Sequence, residues 1–295
     1  SGEKFDVVSP ASGRVLGTFP RGTKGDADAA VEAAVGAQAT IARMSIQERC
    51  KIGVRVAEEI GKSVREYAVD CSLEHGKPLR EAIAEVEDAI PNTLWQVEDL
   101  KRWDAPVQEG YSKPDVVYLS LHEPLGTVAC ITPWNFPWVL PSEFVVQAML
   151  AGNSVIFKPA SNTPLSALHL MECIVRAGVP PGVVNFVTGP GAEVGTALVE
   201  HPMVDAVGFT GETSTGIDIA QGLDLPREGG PGGEDPGQGN LPSLGPEGFG
   251  EDDEAPAFAV HGHPVAACGP EPAEEGRCRE GLRMELGVAP REVEP

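Results

Sequence analysis

Basic residues are scarce in this chain of 295 residues, which has 22 Lys and Arg against 44 Asp and Glu and a formal net charge of -22. A protein that neutralises nucleic-acid phosphates needs clustered Lys and Arg, so we expect no nucleic-acid partner. No apolar run approaches the roughly 20 residues of a spanning helix, and the N-terminus SGEKFDVVSP has no signal-sequence pattern. We therefore expect a cytoplasmic protein without a membrane partner. Because the sequence begins at Ser1 instead of Met, we also expect an incomplete N-terminus, and a lost leader stays an alternative.

Paired cysteines are lacking as well. The six cysteines stand at positions 50, 71, 130, 173, 268 and 278 with no CxxC pair, which indicates reduced thiols and not a disulfide framework. Cys130 falls inside an apolar, strand-like run and is expected to be a core residue. Cys268 and Cys278 stand near His261 and His263, but a metal site needs a folded frame that orients its ligands. We therefore expect no metal site.

Lysine, isoleucine, threonine, tyrosine and tryptophan are missing from the last 73 residues, of which 14 are Gly and 11 are Pro. Such a segment offers too little apolar surface to offset chain entropy, so residues 223–295 are predicted to be an acidic, disordered tail. Gly, Ala, Pro, Arg and Glu dominate it, as expected when a GC-rich gene is read out of frame. A frameshift near codon 222 is one hypothesis, and a natural acidic Pro/Gly-rich tail is the alternative.

The first 125 residues have mainly helical patterning. Apolar residues recur at helical spacing over 26–38, over 46–74 as one or two helices, and over 80–100, where Pro91 bends or restarts the helix. Residues 115–121 alternate like a strand, one that projects to serve subunit contacts. Residues 1–125 are thus predicted to form a helical N-terminal lobe with a projecting strand.

Residues 126–222 alternate short apolar runs with helical segments. Strands are predicted at 127–132, 154–157, 183–188 and 206–210, and helices at 141–151, 164–177, 192–200 and from Ser214 onward. This alternation predicts an α/β fold in which a Rossmann-like parallel sheet is covered by helices on both faces. Because ligands of such sheets bind beyond the carboxyl ends of the strands, the chemistry is expected in the loops that follow these four strands.

Two of those loops carry side chains with distinct chemical uses. In the loop TPWNFPW, Asn135 is the one amide among apolar side chains; it either stabilises an oxyanion on a substrate carbonyl or is tied to backbone in a packed turn. Lys158 ends the second strand, and Ser161 follows before the next helix. The lysine is well placed to contact ribose hydroxyls or a 2′-phosphate, although lysines at strand ends usually face solvent.

The other two loops are rich in glycine. Gly189, Gly191 and Gly195 have the spacing GxGxxxG, which departs from the dinucleotide fingerprint GxGxxG, and no acidic residue about 20 positions later fits the ribose-binding role. The stretch GETSTG at 211–216 offers hydroxyls at a helix N-terminus, a natural pyrophosphate site, but lacks the lysine of a P-loop. Taken singly, each loop is equally well explained as a tight connection.

Taken together and in this order, ITPWNFPW, FKPASNTP, GVVNFVTGPG and GFTGETSTG resemble the aldehyde dehydrogenase superfamily. Upstream, SPASGRVLG, EHGKPLREA and EPLGTVACITPWN are similar to that family's N-terminal region, so the likeness covers residues 5–222, roughly the first half of a member. The resemblance implies a variant Rossmann domain, here incomplete, with a catalytic domain and a small sheet for homo-oligomerisation. It also implies oxidation of a small-molecule aldehyde to a carboxylic acid with NAD or NADP, through a cysteine thiohemiacetal and a water activated by glutamate.

The resemblance also assigns site residues. Asn135 matches the oxyanion-hole amide. Ile131, Pro133 and Trp134 match residues at the junction of cofactor and substrate. Lys158 and Ser161 match the adenine-ribose contacts. The surroundings of the adenine and pyrophosphate are matched by Gly191, Phe209, Thr210, Gly211 and Glu212. Ser161 stands where NAD-preferring members often have a glutamate, so with Lys158 it is expected to admit NADP. Glu212 replaces a common serine, and its charge is unfavourable near a pyrophosphate unless the side chain points away.

The covalent chemistry has no recognisable residues in this sequence. Past residue 222 neither the ELGG-type segment with the catalytic glutamate nor the motif of the nucleophilic cysteine appears, and MELGVAP at 284–290 is only superficially similar to the first. We therefore predict an NAD(P)-dependent aldehyde dehydrogenase by ancestry whose chain, as written, does not catalyse the oxidation. The alternatives are a non-catalytic dinucleotide-binding or interaction protein and a truncated product that does not fold stably.

Overall fold

An antiparallel hairpin opens the fold in the computed structural model, which describes residues 2–103, 106–109, 116–223 and 257–260. Its strands are β1 (Lys4–Val8) and β2 (Val15–Pro20). The connecting turn is closed by a hydrogen bond from the Gly13 N–H to the Ser9 carbonyl oxygen at 2.8 Å, and Gly13 has a φ of 68°, which favours glycine. The lobe that the sequence predicts to be helical therefore also contains a hairpin.

Four helices follow the hairpin: α1 (Lys24–Ala42), α2 (Ile46–Gly61), α3 (Val64–His75) and α4 (Leu79–Leu100). Local signals fix their ends. A capping box begins α2, where the Ser45 N–H donates to the Glu48 carboxylate at 2.8 Å, and Gly76, with a φ of 90°, ends α3. Helix α4 runs through Pro91 without restarting, because buried residues on both sides of the proline keep it packed. No helix within the described ranges is long and apolar enough to span a membrane.

A second two-stranded antiparallel sheet consists of β3 (Val107–Glu109) and β4 (Val117–Leu119). Strand β4 lies inside the strand predicted at 115–121 and is shorter than predicted. Its side chains face solvent, with Tyr118 57% and Leu119 54% exposed. A role in subunit contacts stays a prediction for this sheet.

The remaining described elements alternate as the sequence predicts. In chain order they are β5 (Thr127–Ile131), α5 (Val139–Pro141), a π-helical turn (Ser142–Val146), α6 (Gln147–Leu150), β6 (Ser154–Lys158), α7 (Pro164–Arg176), β7 (Val184–Phe186), a second π-helical turn (Gly191–Gly195), α8 (Thr196–Val199), β8 (Ala206–Phe209), α9 (Thr213–Leu223) and β9 (Ala257–Val260). All four predicted strands and all four predicted helical regions of residues 126–222 are present, with ends displaced by a few residues.

The central sheet has the spatial order β7-β6-β5-β8-β9. Strands β5 to β8 are parallel to one another, so the predicted α/β class with a parallel sheet is confirmed. The chain builds the sheet outward from β5 to β6 and β7, then returns to place β8 on the other side of β5. This reversal between β5 and β8 is the topological switch point, where open α/β sheets bind their ligands.

Two apolar clusters lie on the two faces of the central sheet. The larger packs α2, α3, α4 and α7 against the sheet around fully buried side chains such as Trp138, Phe144 and Phe157. The smaller packs α1 and α8 against the opposite face around Val31, Ile156 and Leu198. Because both faces are covered, the strands are apolar throughout, and β5 and β6 are buried at every position.

The fifth strand comes from the segment that the sequence predicts to be disordered. Residues Ala257–Val260 pair antiparallel with β8, with Ala206 opposite Val260 and Phe209 opposite Ala257. The run AFAV follows an acidic stretch, and β8 has an edge that would otherwise carry unpaired backbone groups. These four residues therefore depart from the prediction of disorder, while the rest of that tail after Leu223 lies outside the described residues.

Candidate functional site

The loops that follow the four parallel strands meet at one edge of the sheet. Hydrogen bonds tie them together just beyond the strands: the Thr132 N–H donates to the Lys158 carbonyl at 3.2 Å, the Thr210 N–H to that of Ile131 at 3.3 Å, and the Val187 N–H to that of Phe157 at 3.0 Å. The loops after β5 and β8 stand on the two sides of the switch point. The structure therefore brings the loops that carry the predicted site residues to one edge of the sheet.

The loop after β5 is held from beneath by the segment that joins α3 to α4. Asn135 is half-buried, and its backbone carbonyl accepts a hydrogen bond from the Lys77 ammonium at 2.8 Å. The Trp134 ring is 52% exposed and lies over the His75 ring with the centroids 5.3 Å apart. Burial, and then the positive charge of Lys77, lower the pKa of His75. Ile131 is buried at the end of β5, and Pro133 is half-buried.

Lys158 is buried, contrary to the usual exposure of lysines at strand ends. Its side chain is 4% exposed, and its ammonium donates to the carbonyl oxygen of Pro159 at 3.1 Å. Burial lowers the pKa of Lys158 to about 8. Within the described ranges no carboxylate forms an ion pair with it. A desolvated ammonium whose one oxygen partner is a neighbouring carbonyl fits an anionic or hydroxyl-rich ligand at this edge.

The second and third loops are joined by Ser161. Its hydroxyl donates to the Gly189 carbonyl at 2.8 Å, and Gly189 has a φ of 139°, which excludes other residues. From below, the third loop rests on the end of β2, where a Cβ on Gly22 would lie 2.1 Å from the Thr188 carbonyl oxygen. Gly191 stands on the outer side of this loop, and a Cβ there would meet no atom within 4 Å. The third loop is thus packed on its inner side and open on its outer side.

The fourth loop folds over the ring of Phe209. A Cβ on Gly211 would lie 2.7 Å from the Phe209 Cζ atom, so a larger residue there would displace the ring. Thr210 is buried, and its hydroxyl has no hydrogen-bond partner among the described residues. Glu212 is exposed at the start of α9, so the structure leaves its carboxylate in solvent beside the crevice. The side chain therefore has room to point away from a bound anion.

The segment EHGK at 74–77 supports two of the four loops, a role that the family resemblance does not indicate. Glu74 accepts hydrogen bonds from the backbone N–H groups of Leu165 at 2.6 Å and Ser166 at 3.0 Å, so it caps α7 directly after the loop of Lys158. Burial raises the pKa of Glu74 to about 7. His75 and Lys77 contact the loop of Asn135. The sequence carried no period or spacing that would reveal these contacts.

The four described cysteines are all buried thiols. Cys50, Cys71, Cys130 and Cys173 are buried and unpaired, and burial raises the pKa of each thiol, that of Cys130 to about 12. A thiol with such a pKa carries almost no thiolate at neutral pH. The interpretation of Cys130 as a core residue agrees with this burial. Cys268 and Cys278 lie outside the described residues, and within them no group of three His, Cys, Asp or Glu side chains could hold a metal ion.

An open α/β domain with polar loops at its switch point is typical of nucleotide-binding folds. Comparison with known proteins gives the family. The profile of the Aldehyde dehydrogenase family matches residues 1–226. Over 221 residues the chain is 39% identical to the D-glyceraldehyde dehydrogenase (NADP(+)) of Picrophilus torridus, covering 75% of this chain and 45% of that protein. The chain therefore belongs to the aldehyde dehydrogenase family.

Solved structures agree with this assignment. An NADP-dependent enzyme of Escherichia coli matches with a TM-score of 0.73 and 36% identity, covering 75% of this chain and 46% of that one. The betaine aldehyde dehydrogenase of Staphylococcus aureus, solved in complex with NAD+, matches with a TM-score of 0.72 and 30% identity, covering 74% of this chain and 44% of that one. The chain thus spans less than half the length of each of these three proteins.

Proposed function

We propose that the crevice at the switch point binds NAD or NADP and that the protein derives from an oxidoreductase that converts an aldehyde to a carboxylic acid. The observation that carries the proposal is the buried Lys158 ammonium, 4% exposed and without a carboxylate partner among the described residues. A buried cation without a counter-charge is unfavourable unless it serves a ligand. The membership of the aldehyde dehydrogenase family and the NADP and NAD+ named for its relatives support the same ligand.

Each loop has a distinct role in this proposal. Lys158 and Ser161 hold the adenine ribose, Gly191 lets the ligand approach the third loop, and the stretch from Phe209 to Glu212 surrounds the adenine and pyrophosphate. Ile131, Pro133 and Trp134 would hold the nicotinamide ring, which would supply a hydride acceptor in the catalytically active ancestor. In the oxidoreductase from which the protein derives, the Asn135 amide would donate to the oxygen of the aldehyde carbonyl, where negative charge develops, an effect commonly worth about 3 kcal/mol.

The chain of 295 residues is proposed to bind the dinucleotide without oxidising aldehydes. The described cysteines are buried thiols with raised pKa values, and the family's motifs for the nucleophile and the general base were not found in residues 223–295. Without a thiolate no covalent intermediate forms, so Asn135 has no oxyanion to stabilise. A non-catalytic dinucleotide-binding protein is thus the first candidate function of this chain, and an interaction protein is the second. The cytoplasmic location and a homo-oligomer formed through β3 and β4 are further proposals that follow the family.

Calorimetric titration with NAD+ and NADP+, beside an aldehyde-oxidation assay that follows the ultraviolet absorbance of the reduced cofactor, tests this proposal. We expect binding of at least one dinucleotide and no turnover. Turnover would contradict the prediction that the chain lacks a nucleophilic cysteine. A sample that binds neither dinucleotide and shows no cooperative unfolding would instead identify an unstable product.

Ser161→Glu is expected to weaken NADP+ binding by about tenfold, because a carboxylate placed near the 2′-phosphate repels it. Binding of NAD+, which has a neutral 2′-hydroxyl, should change much less. Titration of both dinucleotides measures the two affinities. The matched control is Ser161→Gln, which has nearly the same size and no charge. An equal loss of both affinities in Ser161→Glu would argue against a position beside the 2′-phosphate.

A further inference from the structure

Lys77 and Glu85 form an ion pair that is almost completely buried, with side chains 8% and 3% exposed. Glu85 lies on the second turn of α4, and Lys77 lies in the short connection that precedes this helix. Gly76 turns the chain with its φ of 90°, and the Ser72 hydroxyl fixes Lys77 by donating to its backbone carbonyl at 2.7 Å. Two desolvated charges are expensive, and well-packed apolar residues are often as stable, so such a pair calls for an explanation other than fold stability.

Both members of the pair also hold the loop that follows β5. The Lys77 ammonium donates to the Asn135 carbonyl at 2.8 Å and lies 4.8 Å from the centroid of the Phe136 ring. The second oxygen of Glu85 accepts the Trp138 backbone N–H at 2.8 Å. The cation therefore fixes the start of the segment 135–138 and the carboxylate fixes its end. No other ion pair among the described residues contacts the loop in this way.

We propose that Lys77 and Glu85 are positioning residues that aim Asn135 and Trp134 at the nicotinamide end of the crevice. This inference rests on the proposed function, because it assigns the ion pair of Lys77 and Glu85 to one end of the proposed ligand. Residues 132–138 belong to no helix or strand, and the Lys77 and Glu85 side chains hold this loop at the Asn135 carbonyl and at the Trp138 N–H. Lys158 and Ser161 lie on the next loop and do not contact Lys77 or Glu85. Binding of the adenosine half of the ligand is therefore independent of this ion pair.

The test compares NAD+ with ADP-ribose, which lacks the nicotinamide ring. Lys77→Met should weaken NAD+ binding by about tenfold and leave ADP-ribose binding unchanged. Amide hydrogen exchange over residues 133–138 should rise by about tenfold or more in the same variant, while the central strands stay protected. Lys62→Met is the matched control, because it removes an exposed lysine that pairs with Glu59 at the end of α2, and it should change none of these measurements.

Each outcome decides the inference. Equal losses of NAD+ and ADP-ribose affinity, or a general loss of protection in the sheet, would reduce the pair to a structural role and overturn it. If the wild-type chain bound neither ligand, the proposed function would fail. A rise in amide hydrogen exchange confined to residues 133–138 of Lys77→Met would then still show that the ion pair holds the loop. If Lys77→Met did not fold, Glu85→Gln would replace it. That variant keeps an acceptor for the Trp138 N–H and removes the counter-charge of Lys77, so it should still show the NAD+-specific loss.

Discussion

Replacing Lys158 with methionine should weaken the binding of NAD+ and NADP+ by about 10- to 100-fold and at the same time stabilise the fold. The loss of affinity follows from removing charge-assisted hydrogen bonds to the ribose, each worth about 1.5–3 kcal/mol. NADP+ should lose more than NAD+, because its 2′-phosphate is charged. Calorimetric titration measures both affinities. The control is Lys51→Met, which removes an exposed lysine on α2.

The gain in stability follows from the burial of Lys158. Its pKa is lowered from 10.5 to about 8, and one pKa unit corresponds to about 1.4 kcal/mol, so the charged form costs the fold roughly 3 kcal/mol at neutral pH. Methionine has a similar shape and no charge, so Lys158→Met should raise the free energy of unfolding by a part of this amount. Urea unfolding near pH 7 measures it. A variant that lost both affinity and stability would contradict a ligand-serving role for the buried charge.

The same pKa predicts the pH dependence of the wild-type protein. Because the folded-state pKa of Lys158 is lowered, this group destabilises the fold below about pH 8, and the penalty disappears as the pH rises through about 8 toward 10.5. The affinity for NADP+ should change in the opposite sense, since the ammonium loses its proton over that range. Titrations at about pH 7 and about pH 9.5 separate the two effects. Lys158→Met should show neither.

The sheet could be predicted because its information is local. Strands such as TVACI and SVIFK are short and apolar, helices lie between them, and Gly126 and Gly152 mark the turns before β5 and β6 with φ values of 127° and 98°. The carboxyl ends of parallel strands share one edge, so placing Asn135, Lys158 and Thr210 in one crevice required only the strand assignments. The resemblance then supplied their roles, which remain proposals.

The supporting contacts could not be predicted because they join distant parts of the chain. Lys77 reaches Asn135 across 58 residues, and the Thr188 hydroxyl donates to the Pro20 carbonyl across 168 residues. Neither contact leaves a period or spacing in the sequence. The hairpin β1 and β2 was missed because its strands are only partly buried, with a burial pattern that does not alternate strictly. Strand β9 was missed because the composition around it gave a uniform prediction of disorder.

Lys158 illustrates how a local pattern can give the position of a residue without its environment. A lysine at the end of a strand is usually exposed, and the sequence offered no reason to reject that interpretation. The structure buries it at the end of β6, opposite Ile131 of β5 and one residue beyond the pair of Phe157 with Phe186 of β7. Burial is what converts this lysine from a surface charge into a candidate ligand contact, and burial depends on the strand order.

Phe157→Ala should destabilise the protein by about 3–5 kcal/mol, the usual loss when a buried phenylalanine is truncated. Phe157 is fully buried in β6, opposite Cys130 on one neighbouring strand and Phe186 on the other, and its ring lies 5.5 Å from that of Phe186. The larger apolar cluster would contain a cavity that surrounding strands cannot close. Urea unfolding followed by circular dichroism measures the change. Trp95→Ala is the control, since it removes a larger ring that is 61% exposed on α4.

This substitution also distinguishes a folded dinucleotide-binding protein from an unstable product. A loss of 3–5 kcal/mol is measurable only against a wild type that unfolds cooperatively, because native domains have a total stability of about 5–15 kcal/mol. If the two apolar clusters form a core of their own, the wild type shows a sharp transition that Phe157→Ala shifts and Trp95→Ala does not. If the wild type and both variants unfold alike over a broad range, the sheet is not stably packed. The crevice could not then hold Asn135 and Lys158 in the arrangement on which the proposed function depends.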